Sequence, residues 1–192
     1  DWVLEKKYIV KYLINNAGYG ISGKFEDTTL ASYNNMMHLN MHQMVMLTYL
    51  FLPSLKKLQS KAYIMNIASA AAYQAVPGLT VYAATKAFVL LFSRGLSAEL
   101  DGTNIRVTAI SPGGTNTHFA ERAKVESSYA IKMGKKLNMN ASVVAKLAIE
   151  AMFAEKRECI IGWVNKLGAF LAWLLPKKIV ENSTKKIYLF KD

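Results

Sequence analysis

Three short segments predicted as strands constrain the fold of this chain more than any other feature of its sequence. They cover residues 12–14, 62–67 and 106–110. Runs of this length and composition, bounded by turn residues, are typical of buried strands. The second run is followed by Ala68 and Ser69, so it delivers a serine hydroxyl to the end of a predicted strand.

A tyrosine and a lysine follow that serine at helical spacing. Tyr82 and Lys86 stand four residues apart, after the turn predicted at Pro77 and Gly78. If this segment is helical, the phenol and the ammonium lie on one face, one turn apart. The cation would then favour the phenolate and lower the pKa of Tyr82. A free phenol titrates near 10, so such a neighbour would make Tyr82 a usable acid and base.

The order Ser69, Tyr82, Lys86 resembles the catalytic signature of the short-chain dehydrogenase/reductase family, classical type. The resemblance implies an α/β fold, a Rossmann-like doubly wound parallel sheet, and hydride transfer between a nicotinamide cofactor and a carbonyl or hydroxyl carbon. In that role Tyr82 exchanges the proton, Ser69 hydrogen-bonds the substrate oxygen, and Lys86 also reaches the ribose. Asn40 resembles the family's helix-borne asparagine, which anchors a relay water.

Two further motifs extend the resemblance to cofactor binding. Residues 15–18, Asn-Asn-Ala-Gly, resemble the loop after the family's fourth strand, with Asn15 as a strand bridge. Residues 111–117 resemble the turn after its sixth strand, although Thr115 replaces the usual branched apolar residue. The cofactor is expected to be NADP or NAD, with NADP favoured. The implied cofactor contacts are Asn16, Ala17, Gly18, Tyr82, Lys86, Pro112, Gly113, Thr115 and Thr117.

The family's phosphate-binding turn is missing from the expected place. Gly18, Gly20 and Gly23 form a literal G-x-G-x-x-G, but residues 24–29 look like a loop and no acidic residue lies near position 40. We therefore interpret these glycines as turn residues. The sheet would lack its first strands and helices, leaving residues 12–14 as a bare apolar edge. Either the natural protein is longer or this is a degenerate relative.

Composition narrows the setting and the partners. The single cysteine, Cys159, favours a reducing cytoplasm. The net charge of +11 is scattered in short lysine pairs, which does not favour nucleic-acid binding. His38 and His42 have no third ligand nearby in the sequence, so we predict no metal site.

The remaining segments are assigned within one predicted domain, residues 1–192. We expect a helix over residues 31–52 that ends at Pro53, and a helix capped by Ser142 that runs through Glu155. Residues 118–137 resemble the family's substrate lid. Residues 163–192 form an apolar and basic extension. Its part 163–178 could lie on a membrane surface, line a site for a hydrophobic substrate, or pack on the core or a dimer.

Two function classes therefore stay open. The first is an oxidoreductase that acts on a small or hydrophobic carbonyl or alcohol substrate, as a homodimer or homotetramer whose four-helix interface includes the helix after Lys86. The second is a non-catalytic dimerising or membrane-surface scaffold that retains the fold without the cofactor half. The missing phosphate turn supports the scaffold, whereas the presence of Asn40, Ser69, Tyr82 and Lys86 together supports the enzyme.

Overall fold

A computed structural model describes residues 2–125 and 127–189. Its main sheet has four parallel strands in the order β1 (Tyr12–Asn15), β2 (Ala62–Ile67), β3 (Ile105–Ser111) and β6 (Glu158–Ile160). Two short strands, β4 (Thr115–Asn116) and β5 (Met139–Asn140), pair separately. The helices are α1 (Trp2–Glu5), α2 (Leu30–Met37), α3 (Met44–Lys56), α4 (Thr80–Glu99), α5 (Phe119–Arg122), α6 (Ser128–Leu137), α7 (Ala141–Phe153), α8 (Trp163–Leu174) and α9 (Lys177–Tyr188).

Alternate side chains of β2 pack against helices on opposite faces of the sheet. Ile64 lies in a cluster with Leu55 of α3 and Leu100 at the end of α4. Tyr63 and Met65 instead contact α7, in a second cluster. All but the last residue of β2 are buried, as expected for a central parallel strand. This layered, doubly wound α/β architecture confirms the predicted fold class.

The first strand forms one edge of the sheet. Within the described ranges, β1 pairs with β2 alone, and Tyr12 and Ile14 remain 43% and 48% exposed. The apolar edge predicted from the sequence is therefore present. A bare edge of this kind presents unpaired backbone groups to any strand that approaches it.

The helix predicted over residues 31–52 has different limits and an interruption. A wider π-helical segment, His38–Gln43, lies between α2 and α3. Pro53 lies inside α3, so the prediction that it ends the helix was wrong. Proline removes one hydrogen bond to the residue four positions earlier, here Tyr49. That tyrosine is 76% exposed, so the interruption falls on the solvent side of the helix.

The cap of α7 also differs from the prediction. The N-cap is Asn140, whose Oδ1 accepts a hydrogen bond from the Ser142 backbone N–H at 3.0 Å. Ser142 lies inside the first turn, because the Asn140 side chain accepts the hydrogen bond from a first-turn N–H that an N-cap residue normally accepts. The helix ends at Phe153, and Glu155 adopts a left-handed conformation with φ of 55° just after it.

Candidate active site

Helix α4 carries Tyr82 and Lys86 on its buried face. Gly78, at φ 89°, makes the sharp turn that precedes the helix, a conformation that favours glycine. The exposed fractions of Tyr82 and Lys86 are only 8% and 5%. The Lys86 Nζ lies 5.9 Å from the centroid of the Tyr82 ring. The structure thus brings the phenol and the ammonium together in a largely dry site, as the spacing predicts.

Ser69 joins this pair from the end of β2. The chain passes from extended backbone at Ser69 into a short 3₁₀ segment, Ala70–Tyr73, and the Ser69 Oγ accepts a hydrogen bond from the Ala71 N–H at 3.1 Å. Ser69 also lies close enough to the Tyr82 side chain to lower the pKa of the phenol. A serine from a strand end and a tyrosine from a helix therefore meet in one site.

Burial dominates the electrostatics of Tyr82. Loss of solvation raises the pKa of Tyr82 to about 12, Ser69 lowers it, and the nearby Tyr188 raises it further. The sequence predicts that Lys86 lowers this pKa, whereas the net shift of the Tyr82 pKa in this structure is upward. The charged form of a buried phenol is disfavoured because the surroundings solvate it poorly.

The same burial acts on Lys86 in the opposite direction. It lowers the pKa of the ammonium from 10.5 to about 8. The Nζ donates a hydrogen bond to the Ile67 carbonyl oxygen, at the end of β2, over 2.8 Å. Tyr82 therefore stays protonated at neutral pH, whereas Lys86 titrates at a pH close to neutral.

Asn40 lies in the π-helical segment, and its side chain fastens the loop after β1 to α4. The Nδ2 donates to the Tyr19 carbonyl oxygen at 2.9 Å and to the Thr85 Oγ1 at 3.0 Å, and the Oδ1 accepts from the Tyr19 N–H at 3.1 Å. Both amide protons are engaged, and one lone pair of Oδ1 remains for a further partner. π-Helical turns are frequent at functional sites.

Two glycines after β1 allow close approaches to this site. A Cβ at Gly18 would lie 2.9 Å from the Asn40 Oδ1 and 3.4 Å from the Lys86 Nζ. A Cβ at Gly20 would lie 2.8 Å from the Phe119 ring. Gly23 has φ of 132° and does not open a helix, which confirms that the three glycines are not a phosphate-binding motif. Only Gly23 serves turn geometry, so the interpretation of Gly18 and Gly20 as turn residues was wrong.

The predicted cofactor loops follow the carboxyl ends of β1 and β3. Asn16, Ala17 and Gly18 are exposed after β1. The Pro112 carbonyl oxygen accepts a hydrogen bond from the Ala70 N–H at 2.7 Å, which joins the turn after β3 to the segment that carries Ser69. Ligands of parallel α/β sheets bind at this end of the strands.

The other predicted contacts after β3 have partners within the turn. The Thr115 Oγ1 donates to the Gly113 carbonyl oxygen at 3.1 Å, and β4 begins at Thr115. The Thr117 Oγ1 accepts from the Phe119 N–H at 3.2 Å and so orients the start of α5. A Cβ at Gly113 would lie 2.2 Å from Asn165 of α8, so this position requires glycine.

Two aromatic residues that the sequence did not reveal surround Tyr82. The centroids of the Phe119 and Tyr82 rings lie 5.2 Å apart. Tyr188 of α9 packs against the same cluster, and burial raises its own pKa. Of the predicted lid, residues 118–125 and 127–137 are described, and Glu126 lies outside the described residues. No spacing pattern links these positions to Tyr82, because they are distant in the chain.

Asn15 acts as the strand bridge that the sequence predicts. Its Nδ2 donates to the Asn66 Oδ1 at 2.8 Å and to the Thr48 Oγ1 at 3.2 Å. The Asn66 Nδ2 in turn donates to the Ser93 Oγ of α4 at 2.9 Å. This polar chain crosses the interior beside the buried face of α4, and partnered polar groups of this kind favour one register of β1 on β2.

Comparison with known families matches residues 1–127 to the short-chain dehydrogenase family. That match spans Asn40, Ser69, Tyr82, Lys86 and the turn at Pro112. The chain belongs to the short-chain dehydrogenase family. Helices α8 and α9 lie beyond the matched residues.

Relatives of this chain include proteins named as oxidoreductases or reductases. Sulfoacetaldehyde reductase 2 of Chromohalobacter salexigens is 39% identical over 111 residues, which are 57% of this chain and 44% of that protein. An uncharacterized oxidoreductase of Staphylococcus aureus is 31% identical over 145 residues, 69% of this chain and 62% of that protein. The chain thus spans between 44% and 62% of the length of these relatives.

Solved structures of short-chain dehydrogenases share the fold. One from Sphingobium yanoikuyae in complex with NADPH has a TM-score of 0.71 at 27% identity, covering 83% of this chain and 61% of that one. Serine dehydrogenase from Escherichia coli has a TM-score of 0.52 at 35% identity, covering 55% of this chain and 49% of that one.

Proposed function

We propose that this protein is an NAD(P)-dependent oxidoreductase that reduces a carbonyl group of a small or hydrophobic substrate, with Tyr82 as the proton donor. The observation that carries the proposal is the convergence of Ser69, Tyr82 and Lys86, with the last two buried. Burial of a lysine and a tyrosine beside each other is costly for stability, and perturbed pKa values of this kind cluster at functional sites.

The residues present fit the ribose and nicotinamide end of a dinucleotide. The Lys86 ammonium lies beside the position that a Cβ of Gly18 would fill. Because glycine has no side chain, this hydrogen-bond donor faces free space next to the Gly18 backbone. The exposed backbone of residues 16–18 and the turn at Gly113 offer further polar groups. A bound nicotinamide cofactor would supply the hydride. NADP is favoured over NAD only from the resemblance to reductases, since structural relatives are described with NADPH, with NADH and with NAD.

The pKa of Tyr82 fits the protonation step that reduction of a carbonyl requires. When a carbonyl carbon is reduced, its oxygen gains negative charge and needs a proton. Tyr82 holds its proton at neutral pH, because its pKa is about 12, and it releases that proton only to a more basic oxygen. Ser69 would hold the same oxygen through its hydroxyl. Lys86, with a pKa of about 8, is the nearby group that exchanges protons most readily near neutrality.

The surroundings of Tyr82 favour a substrate with an apolar part. Phe119 and Tyr188 place aromatic rings on the phenol, and residues 118–137 are proposed as the lid over the substrate. The relative named sulfoacetaldehyde reductase 2 suggests small aldehydes as an alternative class of substrate. Both classes share the carbonyl group that Ser69 and Tyr82 would contact.

The test is turnover by the purified protein with NADPH or NADH on a panel of aldehydes and ketones. Tyr82→Phe removes the proton donor and should lower turnover by about 100-fold to 10,000-fold, the usual contribution of general acid catalysis. Tyr33→Phe is the matched control: Tyr33 is 7% exposed, belongs to the same cluster, and donates its hydroxyl to the Phe25 carbonyl oxygen. Equal activity of both variants would contradict the assigned role.

A scaffold without catalysis remains the second candidate. Exposed apolar side chains on α3 and α4, among them Tyr49 and Leu91, support an association surface. NADPH fluorescence titration separates the candidates, because a scaffold that lacks the cofactor site would show no saturable binding.

A further inference from the structure

Helix α8 exposes a continuous apolar stripe. Trp163, Leu167, Phe170 and Leu174 recur at helical spacing and are 75%, 48%, 53% and 57% exposed. Trp173, 74% exposed, extends the stripe sideways, and its ring centroid lies 6.0 Å from that of Phe170. These five residues are called the α8 stripe below.

The opposite side of α8 holds the helix on the protein through small residues. Ala172 is buried at 1% exposure, and the Asn165 Nδ2 donates to the Ile161 carbonyl oxygen at 2.7 Å. This side lies against the 3₁₀ segment that follows Ser69. The helix therefore turns its small residues inward and its largest apolar side chains outward, the reverse of an ordinary surface helix.

The charged side chains of α8 and of the turn that follows it are all lysines, while Glu158 and Glu181 lie just outside this segment. Residues 159–180 contain Lys166, Lys177 and Lys178 and no Asp or Glu. The Lys177 Nζ donates to the Ala172 carbonyl oxygen, which caps the end of α8, while Lys166 and Lys178 are exposed at its rim. The chain as a whole has a net charge of +11. A partner surface that complements this pattern has an apolar interior and carries negative charge at its outer edge.

We propose that the α8 stripe lies on the surface of an anionic lipid bilayer, with the helix in the plane of the interface. Trp163 and Trp173 mark the two ends of the stripe, and tryptophan favours the boundary between headgroups and acyl chains. Lysines beside an apolar face bind anionic headgroups.

A second copy of this chain fits the stripe less well. Pairing two stripes about a twofold axis would bring Lys166 and Lys178 of both copies to one interface, where Glu158, which lines a pocket with Lys166, would offset only part of the positive charge. Like charges at an interface oppose association. In the described part of the chain no helix is long and apolar enough to cross a membrane, and an interfacial helix needs no such length.

Vesicle co-sedimentation tests the proposal without substrate or cofactor. The purified protein is expected to bind vesicles of equimolar phosphatidylcholine and phosphatidylglycerol, and to bind pure phosphatidylcholine at least about tenfold more weakly, because several lysines contribute. The double substitution Phe170→Glu and Trp173→Glu should reduce binding to the anionic vesicles by about 100-fold or more, since it removes two large apolar contacts and adds repulsion.

The matched control is Tyr49→Glu with Leu50→Glu, which makes the same charge change at exposed apolar residues of α3, 76% and 61% exposed. It should leave vesicle binding unchanged. Circular dichroism and thermal unfolding verify that both variants fold. Trp2→Phe leaves Trp163 and Trp173 as the only tryptophans, and brominated lipids should quench their fluorescence.

Three results would overturn the proposal. The first is no binding to anionic vesicles, and the second is binding that the α8 double variant retains. The third is a dimer, seen by light scattering, that the α8 variant dissociates while vesicles bind neither protein; this result would assign the stripe to a second copy.

Discussion

Replacing Lys86 by methionine removes a buried ammonium and keeps a side chain of similar length. Burial lowers the pKa of Lys86 to about 8, against 10.5 in the unfolded chain. Below about pH 8 the folded protein must carry this charge in poorly solvated surroundings. The difference between 10.5 and about 8 corresponds to a cost of about 3 kcal/mol at pH 7, at about 1.36 kcal/mol for each pKa unit.

The sign of the pH dependence follows from proton binding. Between about pH 8 and 10.5 the unfolded chain holds a proton on Lys86 more strongly than the folded protein does, so this residue makes stability rise with pH. The cost therefore falls from about 3 kcal/mol at pH 7 to about 1 kcal/mol at pH 10. Tyr82 acts in the opposite sense only above about pH 10, because its pKa is raised.

The variant also loses the hydrogen bond to Ile67, which costs about 1 kcal/mol. We therefore expect Lys86→Met to be more stable than the parent by about 1 to 2 kcal/mol at pH 7, and of equal or lower stability at pH 10. Turnover should be abolished. Urea unfolding at pH 7, 8, 9 and 10 gives the free energy of unfolding of both proteins.

Lys146→Met provides the control, because the Lys146 side chain is 77% exposed. Its effect on the free energy of unfolding should not change across this pH range. If the difference between Lys86→Met and the parent is also constant from pH 7 to 10, the argument from burial is refuted.

Four further substitutions each test one contact or one face of the protein. Gly18→Ala should destabilise the protein by about 1 to 3 kcal/mol and lower its activity, since the new Cβ would meet the Asn40 Oδ1. Gly95→Ala has open space at the Cβ position, so it should stabilise α4 by about 0.5 to 1 kcal/mol in the same urea assay. Thr108→Val should raise the free energy of unfolding by about 1 kcal/mol, because the buried Thr108 Oγ1 has no hydrogen-bond partner among the described residues; a loss of stability would mean that the hydroxyl has a partner. Leu91→Glu should reduce the mass measured by light scattering if the exposed face of α4 joins two copies; an unchanged mass would exclude that face.

Local patterns predicted the parts of this site that lie close together in the sequence. Helical spacing places Tyr82 and Lys86 on one face because the period of a helix is fixed. The apolar run before Ser69 predicts β2 because a central parallel strand is buried on both faces. The asparagine bridge at Asn15 was also predicted, from a motif of four residues.

Properties that depend on distant packing were not predicted. The pKa of Tyr82 has the opposite shift because burial outweighs the other effects, and Phe119 and Tyr188 come from far along the chain. The predicted limits of α3 and α7 were wrong for a related reason. Pro53 is tolerated inside α3, and Asn140 caps α7 ahead of Ser142, since tertiary context decides between neighbouring cap residues.

The position of α9 has a consequence for the order in which the site is completed during synthesis. The Ile187 carbonyl oxygen accepts a hydrogen bond from the Ser127 Oγ at 2.6 Å, and the Thr184 Oγ1 donates to the Ala75 carbonyl oxygen at 3.3 Å. This helix follows every described strand in the chain. Tyr82 therefore leaves the ribosome before Tyr188, so the cover that Tyr188 adds over the phenol can form only after residue 188 has been synthesised.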